Sequence, residues 1–101
     1  MTVLPPAARI GDSTSHGTPL APGPGSTNVL IGGRPAWRAV SDMHTCPLVD
    51  GLKPHVGGVI AIGSKTVLIN NLPAARVGDL VVEAGAPNAI VVGEPSVIIG
   101  G

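Results

Sequence analysis

His16, His44, Cys46 and His55 are the residues of this chain best suited to chemistry. Three imidazoles and one thiolate are the number and kind of donors that a tetrahedral zinc site takes. Their spacing is unlike that of a zinc finger, so local geometry has to carry the case. In an extended segment residues i and i+2 point to one side, which lets His44 and Cys46 grip a single ion across Thr45. Pro54 before His55 and Gly57-Gly58 after it hold that residue in a tight bend. His16 enters from a separate loop. A second reading stands beside this one: three solvent-exposed His and one buried, inert Cys. All four residues fall in the two irregular stretches of the chain and none in its repeats.

Other chemistries find less support. Glu83 and Glu94 have the acid-base capacity of a general base, but no motif places either near a metal. Asp12, Ser13, Ser15 and His16 are too close in sequence for a hydrolytic triad, and no nucleophile-elbow motif is present. Four protein ligands would also leave a zinc ion no position for an activated water. The expectation is a protein that is not an enzyme. Six acidic and six basic residues cancel, which removes the electrostatic reason to expect nucleic acid or an anionic membrane as partner. No apolar run reaches membrane-spanning length, and the first six residues lack the basic start and apolar stretch of a secretory signal.

The elements that must hold these residues are strands. The chain has no Phe or Tyr, one Trp, fifteen Gly and eleven Pro. Val and Ile carry its apolar content, and they favour strands. Short strands are expected at 28–31, 59–62, 66–70, 80–83, 89–92 and 96–99, with turn pairs such as Gly32-Gly33 and Asn70-Asn71 between them. Residues 13–24 and 44–55 break this rhythm; the first reads as a loop, the second as an irregular stretch.

Repetition organises the whole. Pro6-Ala7-Ala8-Arg9-Ile10-Gly11-Asp12 returns as Pro73-Ala74-Ala75-Arg76-Val77-Gly78-Asp79, with a looser copy from Pro35 through Trp37 and Arg38 to Asp42. Gly25-Ser26…Val29-Leu30-Ile31, Gly63-Ser64…Val67-Leu68-Ile69 and Gly93-Glu94…Val97-Ile98-Ile99 form a second threefold series. Stacked or symmetry-related units follow from such a pattern. The paired Arg and Asp of each copy read as turn-closing groups, Asp capping N–H groups and Arg bridging carbonyls.

This ordered series resembles the PAAR-repeat family, tip proteins of type VI secretion spikes and related contractile injection machines. The resemblance runs through Ala8–Asp12, Asp12 to His16-Gly17, Asp42-Met43-His44-Thr45-Cys46-Pro47, Pro54–Gly58 and Gly63–Asp79 to the Val97-Ile98-Ile99-Gly100 ending. It implies a single all-β domain over residues 1–101 with no effector extension. That domain would be a short conical, β-helix-like body with pseudo-threefold repeats. Near its tip one structural zinc would be held by His16, His44, Cys46 and His55. It implies docking, one copy per trimer, on a VgrG-type spike, with separate effector chains as further partners and only passing contact with a target membrane. The strands around Val29, Ile31, Val67, Ile69, Val97 and Ile99 are the candidate docking face. Such a tip would assemble in the bacterial cytoplasm and leave on the spike; a contractile phage tail is the alternative setting. Three departures stand out. Trp37 replaces Ala in the middle copy, which also has Ser41 in the Gly place and one extra residue. The third strand phrase has no Pro-Ala-Ala-Arg after it. Many relatives carry a Cys soon after the last Gly-Asp, where this chain has Val81, Val82 and Glu83.

Overall fold

Each Pro-Ala-Ala-Arg copy is an extended stretch whose neighbours are the other two copies. The computed structural model describes residues 5–50, 53–83 and 88–100, with the side chains of these apart from 47–50 and 53–56. Ala8 N–H donates to the Ala75 carbonyl, Ala75 N–H to Trp37 and Trp37 N–H to Ala8, each at 3.0 Å. A second cycle runs the other way, from Ile10, Ala39 and Val77 to the carbonyls of Pro35, Pro73 and Pro6 at 3.1, 2.8 and 2.9 Å. Bridges Arg9–Ala36, Arg38–Ala74 and Ala7–Arg76 link the same pairs. A cycle in which each copy pairs with both others leaves no strand edge open at this level.

The strands are β1 (Pro6–Ala7), β2 (Leu30–Ile31), β3 (Arg34–Pro35), β4 (Met43–Asp50), β5 (Lys53–Ile60), β6 (Leu68–Ile69), β7 (Leu72–Pro73), β8 (Leu80–Val82), β9 (Asn88–Ala89) and β10 (Glu94–Ile98). The described residues contain no helix. Hairpins β2–β3 and β6–β7 close on Gly32-Gly33 (φ 57° and 81°) and Asn70-Asn71 (φ 54° and 64°). Two successive positive φ values give the turn whose twist matches the flanking strands. In the third unit β10 pairs with β1 instead, Pro6 opposite Ile98 and Ala7 opposite Glu94. The phrase that seemed to lack its Pro-Ala-Ala-Arg receives it from the other end of the chain. The third repeat is split, and the two chain ends together complete it.

Threefold packing follows. Ile31, Ile69 and Ile99 meet Ala7, Ala36 and Ala74 in one buried cluster, with Val29, Val67 and Val97 half-buried against it. Ala8, Trp37 and Ala75 then pack with Leu20, Ile60 and Ile90 in the next. Burial of an Ile contributes about 1.5–3 kcal/mol, so repeated small contributions replace the missing aromatics. This bears on the expected docking residues. Ile31, Ile69 and Ile99 point into the core, whereas Leu30, Leu68 and Ile98 between them are exposed.

Each copy is locked by one fork. Asp12, Asp42 and Asp79 accept from the backbone N–H of Arg9, Arg38 and Arg76 at 2.8 Å in every case. The same carboxylates take the Arg Nη2 at 2.8, 2.8 and 3.0 Å. The capping role expected of Asp holds, but the main partner of each guanidinium is the Asp rather than a carbonyl. Hydrogen bonds to Asp12 and Asp42 push the Arg9 and Arg38 pKa values upward against burial.

Residues 44–55, read as irregular, lie in a long ladder: β4 and β5 pair from Met43–Val59 to Asp50–Lys53, with a register shift between Cys46 and Val49. The sheet continues in the order β4-β5-β8-β9. Gly58 permits this stacking, because a Cβ there would strike the Val82 carbonyl.

The middle copy differs at its turn. Val40 has φ 73°, in the place that Gly11 (87°) and Gly78 (94°) take in the other copies. Val40 N–H bonds Ile60 as Gly11 bonds Leu20 and Gly78 bonds Ile90. Ser41 is therefore the inserted residue, and Val40 stands where Gly was expected. A β-branched side chain there is strained by roughly 1–2 kcal/mol. Val40→Asn, which suits that conformation, should raise stability by about 1 kcal/mol, seen as a melting temperature several degrees higher. An unchanged or lower melting temperature would count against stored strain. Asp42→Ala should do the reverse, costing about 3–5 kcal/mol because it leaves the Arg38 guanidinium without its buried partner; denaturant titration reads this directly.

Candidate metal centre

The Asp that closes each copy also sets a distance. Four residues beyond Asp12, Asp42 and Asp79 stand His16, Cys46 and Glu83. These are equivalent positions of the three units, and the fold brings their side chains together: one ligand atom from each lies within 4.8 Å of the others. His16 Nδ1 is 3.7 Å from Cys46 Sγ and 3.0 Å from Glu83 Oε1. The Glu83 carboxylate is buried and His16 nearly so.

Three different elements deliver these groups. A tight turn carries His16: Gly17 N–H returns to Thr14 C=O at 2.9 Å, Thr14 Oγ1 donates to Thr18 C=O at 2.7 Å, and Ser13 bridges Pro19. Gly17 has φ 79°, a conformation for which glycine is suited. Cys46 is on β4, and Glu83 follows the last residue of β8.

Donor chemistry and spacing both fit zinc. Imidazole nitrogen, thiolate and carboxylate oxygen are its usual protein ligands, at about 2.0–2.3 Å. Tetrahedral bonds of that length separate ligand atoms by roughly 3.3–3.6 Å. The distances of 3.0 and 3.7 Å bracket that range, so shifts of a few tenths of an ångström would suffice.

His44 and Cys46 do share a face of β4, both buried, as alternation requires. His44 nevertheless does not join the cluster. Ala21 N–H donates to its Nδ1 at 3.2 Å, and Thr18 Oγ1 lies 2.9 Å from its Nε2. With Nδ1 accepting, Nε2 carries the proton, and both ring nitrogens are engaged. The reason lies in the insertion-bearing middle copy. The other repeat junctions pair backbone to backbone, Ile60 with Val81 and Thr14 with Ile90. At the remaining junction Ala21 instead gives its N–H to His44 and its carbonyl to Trp37 Nε1, at 2.8 Å. His44 and Trp37 add side-chain bonds to a seam where Met43 N–H also donates to Gly23 C=O at 3.1 Å. Burial pushes the His44 pKa down, with Glu83 pulling it up and His16 lowering it further. His55 lies on β5, between Pro54 opposite Val49 and Val56 opposite Cys46; its side chain is outside those described.

No local motif marks Glu83 as a candidate donor, because its surroundings in the sequence are plain. The signal existed, however, in the constant offset from Asp across the repeats.

These repeats decide the family. The chain matches the family model described as PAAR motif over residues 10–52 and 50–101. It belongs to the PAAR-repeat family. No curated protein matches it. The family is a structural spike-tip family rather than an enzymatic one, linked in general to VgrG spike tips of contractile injection systems.

Two substitutions separate the roles of neighbouring residues in this PAAR protein. Cys46→Ser should lower bound zinc well below about one ion per chain. His44→Gln should keep that ion while losing about 1–3 kcal/mol of stability from imperfectly paired groups at the seam. Elemental analysis beside thermal melting checks both, and a folded His44→Gln protein without zinc would make His44 a ligand after all.

Proposed function

We propose that this PAAR protein is a zinc-stabilised point that caps a trimeric VgrG-type spike, one copy per trimer, and helps it breach a target envelope. The observation that carries the reading is the closed cycle Ala8–Ala75–Trp37: a single chain reproduces threefold strand geometry. Only such a chain can continue a three-chain β prism while presenting one apex instead of three.

The two ends of the layered core then have different tasks. At one end Val29, Val67 and Val97, with exposed Leu30, Leu68 and Ile98, form a threefold apolar rim. That rim suits the blunt end of a trimer, by strand addition and apolar burial. Here the docking set extends the expected Val29, Val67 and Val97 outward to Leu30, Leu68 and Ile98. At the other end His16, Cys46 and Glu83 converge, and His55, next along β5 to the Val56 that faces Cys46, is the proposed fourth ligand. Zinc, when bound, ties the three repeat units at one point and contributes on the order of ten kcal/mol to holding them. The chain's own residues supply the rest. Arg–Asp forks stiffen each turn, and the backbone cycles leave no edge to peel. The conical, β-helix-like outline belongs to the same reading. So do delivery on the spike and recruitment of separate effector chains. No helix among the described residues is long and apolar enough to cross a membrane.

Co-purification with a trimeric VgrG-type spike tests the proposal. One chain per trimer is expected, and a Leu30→Lys, Leu68→Lys double variant should lower recovery at least tenfold while folding normally. Binding at the opposite end, or equal recovery, would refute the assignment of the rim.

A further inference from the structure

Asn88 is fully buried beside the His16 turn, and nothing in the metal reading so far uses it. Its Oδ1 accepts the backbone N–H of His16 at 3.0 Å and faces Ser15 Oγ at 3.4 Å. Around it the turn is sewn to β9: Ser15 N–H donates to Ala89 C=O at 2.7 Å, and Ala89 N–H donates to Ser15 Oγ at 2.9 Å. Through β9 the same residue reaches the other ligand-bearing strand, since Asn88 lies opposite Val81 of β8, two residues before Glu83. Asn88 thus stands between the supports of two ligands drawn from different repeat units.

Its burial has a cost that structure alone does not repay. Asn88 Nδ2 has no hydrogen-bond partner among the described residues. A buried, unsatisfied amide donor costs about 1–3 kcal/mol, and an apolar residue in β9 would avoid it. What the amide supplies in return is its oxygen, aimed at the one backbone N–H that belongs to the ligand His16. Thr18 and Gly58 hold the corresponding strand places in the other two units, so no repeat pattern demands an Asn here.

We propose that Asn88 is a positioning residue for metal binding: by holding the His16 backbone it sets Nδ1 toward Cys46 and Glu83 before an ion arrives. The inference rests on the zinc reading above. Groups that orient a ligand typically change metal affinity 10–100-fold when removed. Asn88→Ala should therefore weaken zinc binding about 10–100-fold in chelator competition. It should also alter the visible spectrum of the cobalt-substituted protein, which reports ligand geometry. Ser15→Ala, at an exposed position that endangers folding less, should shift affinity the same way by a smaller factor. A merely structural Asn88 would lower the melting temperatures of metal-loaded and chelated protein equally, with affinity and cobalt spectrum unchanged; that result overturns the proposal. If Asn88→Ala does not fold, unchanged zinc affinity in Ser15→Ala overturns it instead. Wild-type protein that binds no zinc would overturn the metal reading and this inference together, whereas normal wild-type binding with an indifferent Asn88→Ala overturns this inference alone.

Discussion

Three peptide groups, those of Ala8, Trp37 and Ala75, bond one another in a closed triangle, and the structure depends on that closure. A strand segment two or three residues long has little stability alone. Linked in a cycle, each segment finds two partners, and the cost of an open edge disappears. Everything else is layered on this cycle: the Ile and Ala cluster on one side, Leu20, Ile60 and Ile90 on the other, and an Arg–Asp fork fixing each turn. The first copy also pairs with β10, so the two ends meet to complete the third repeat unit.

Symmetry is incomplete where the middle copy departs from the pattern. An inserted Ser41 and a Trp37 in place of Ala disturb the junction between the first and second units. Trp37 Nε1 and the His44 ring then take over the hydrogen bonds of Ala21. The departures compensate one another. Both ring nitrogens of His44, two residues from Cys46 on the same face, are thereby engaged outside the three-residue cluster.

The cluster itself turns a fold constraint into a chemical one. Equal offsets from three equivalent Asp residues give symmetry-related positions, and those that face inward, as here, are brought together. Here the convergent positions hold an imidazole, a thiol and a carboxylate. Glu83 makes this donor set harder than one with a second Cys, since a carboxylate oxygen replaces sulfur. Asn88 then connects the supports of His16 and Glu83 across the boundary between first and third units.

Much of this was legible in the residues in order. The repeats, the all-β class, the Gly32-Gly33 and Asn70-Asn71 turns and the structural use of Arg and Asp follow from composition and recurrence, because turn chemistry and β-branching act locally. Strand extents were less so: residues 44–55 read as an irregular stretch, yet they lie in a ladder with a register shift between Cys46 and Val49. His16 and Cys46 stand out by donor type, by the alternation of an extended segment and by the family resemblance. Glu83, the seam role of His44, the inward turn of Ile31, Ile69 and Ile99 and the joining of β1 to β10 depend on which segments become neighbours. Residue type carries propensity and donor chemistry along the chain; only the closed threefold packing decided which donors face one another, because convergence is a property of the axis and not of any one segment.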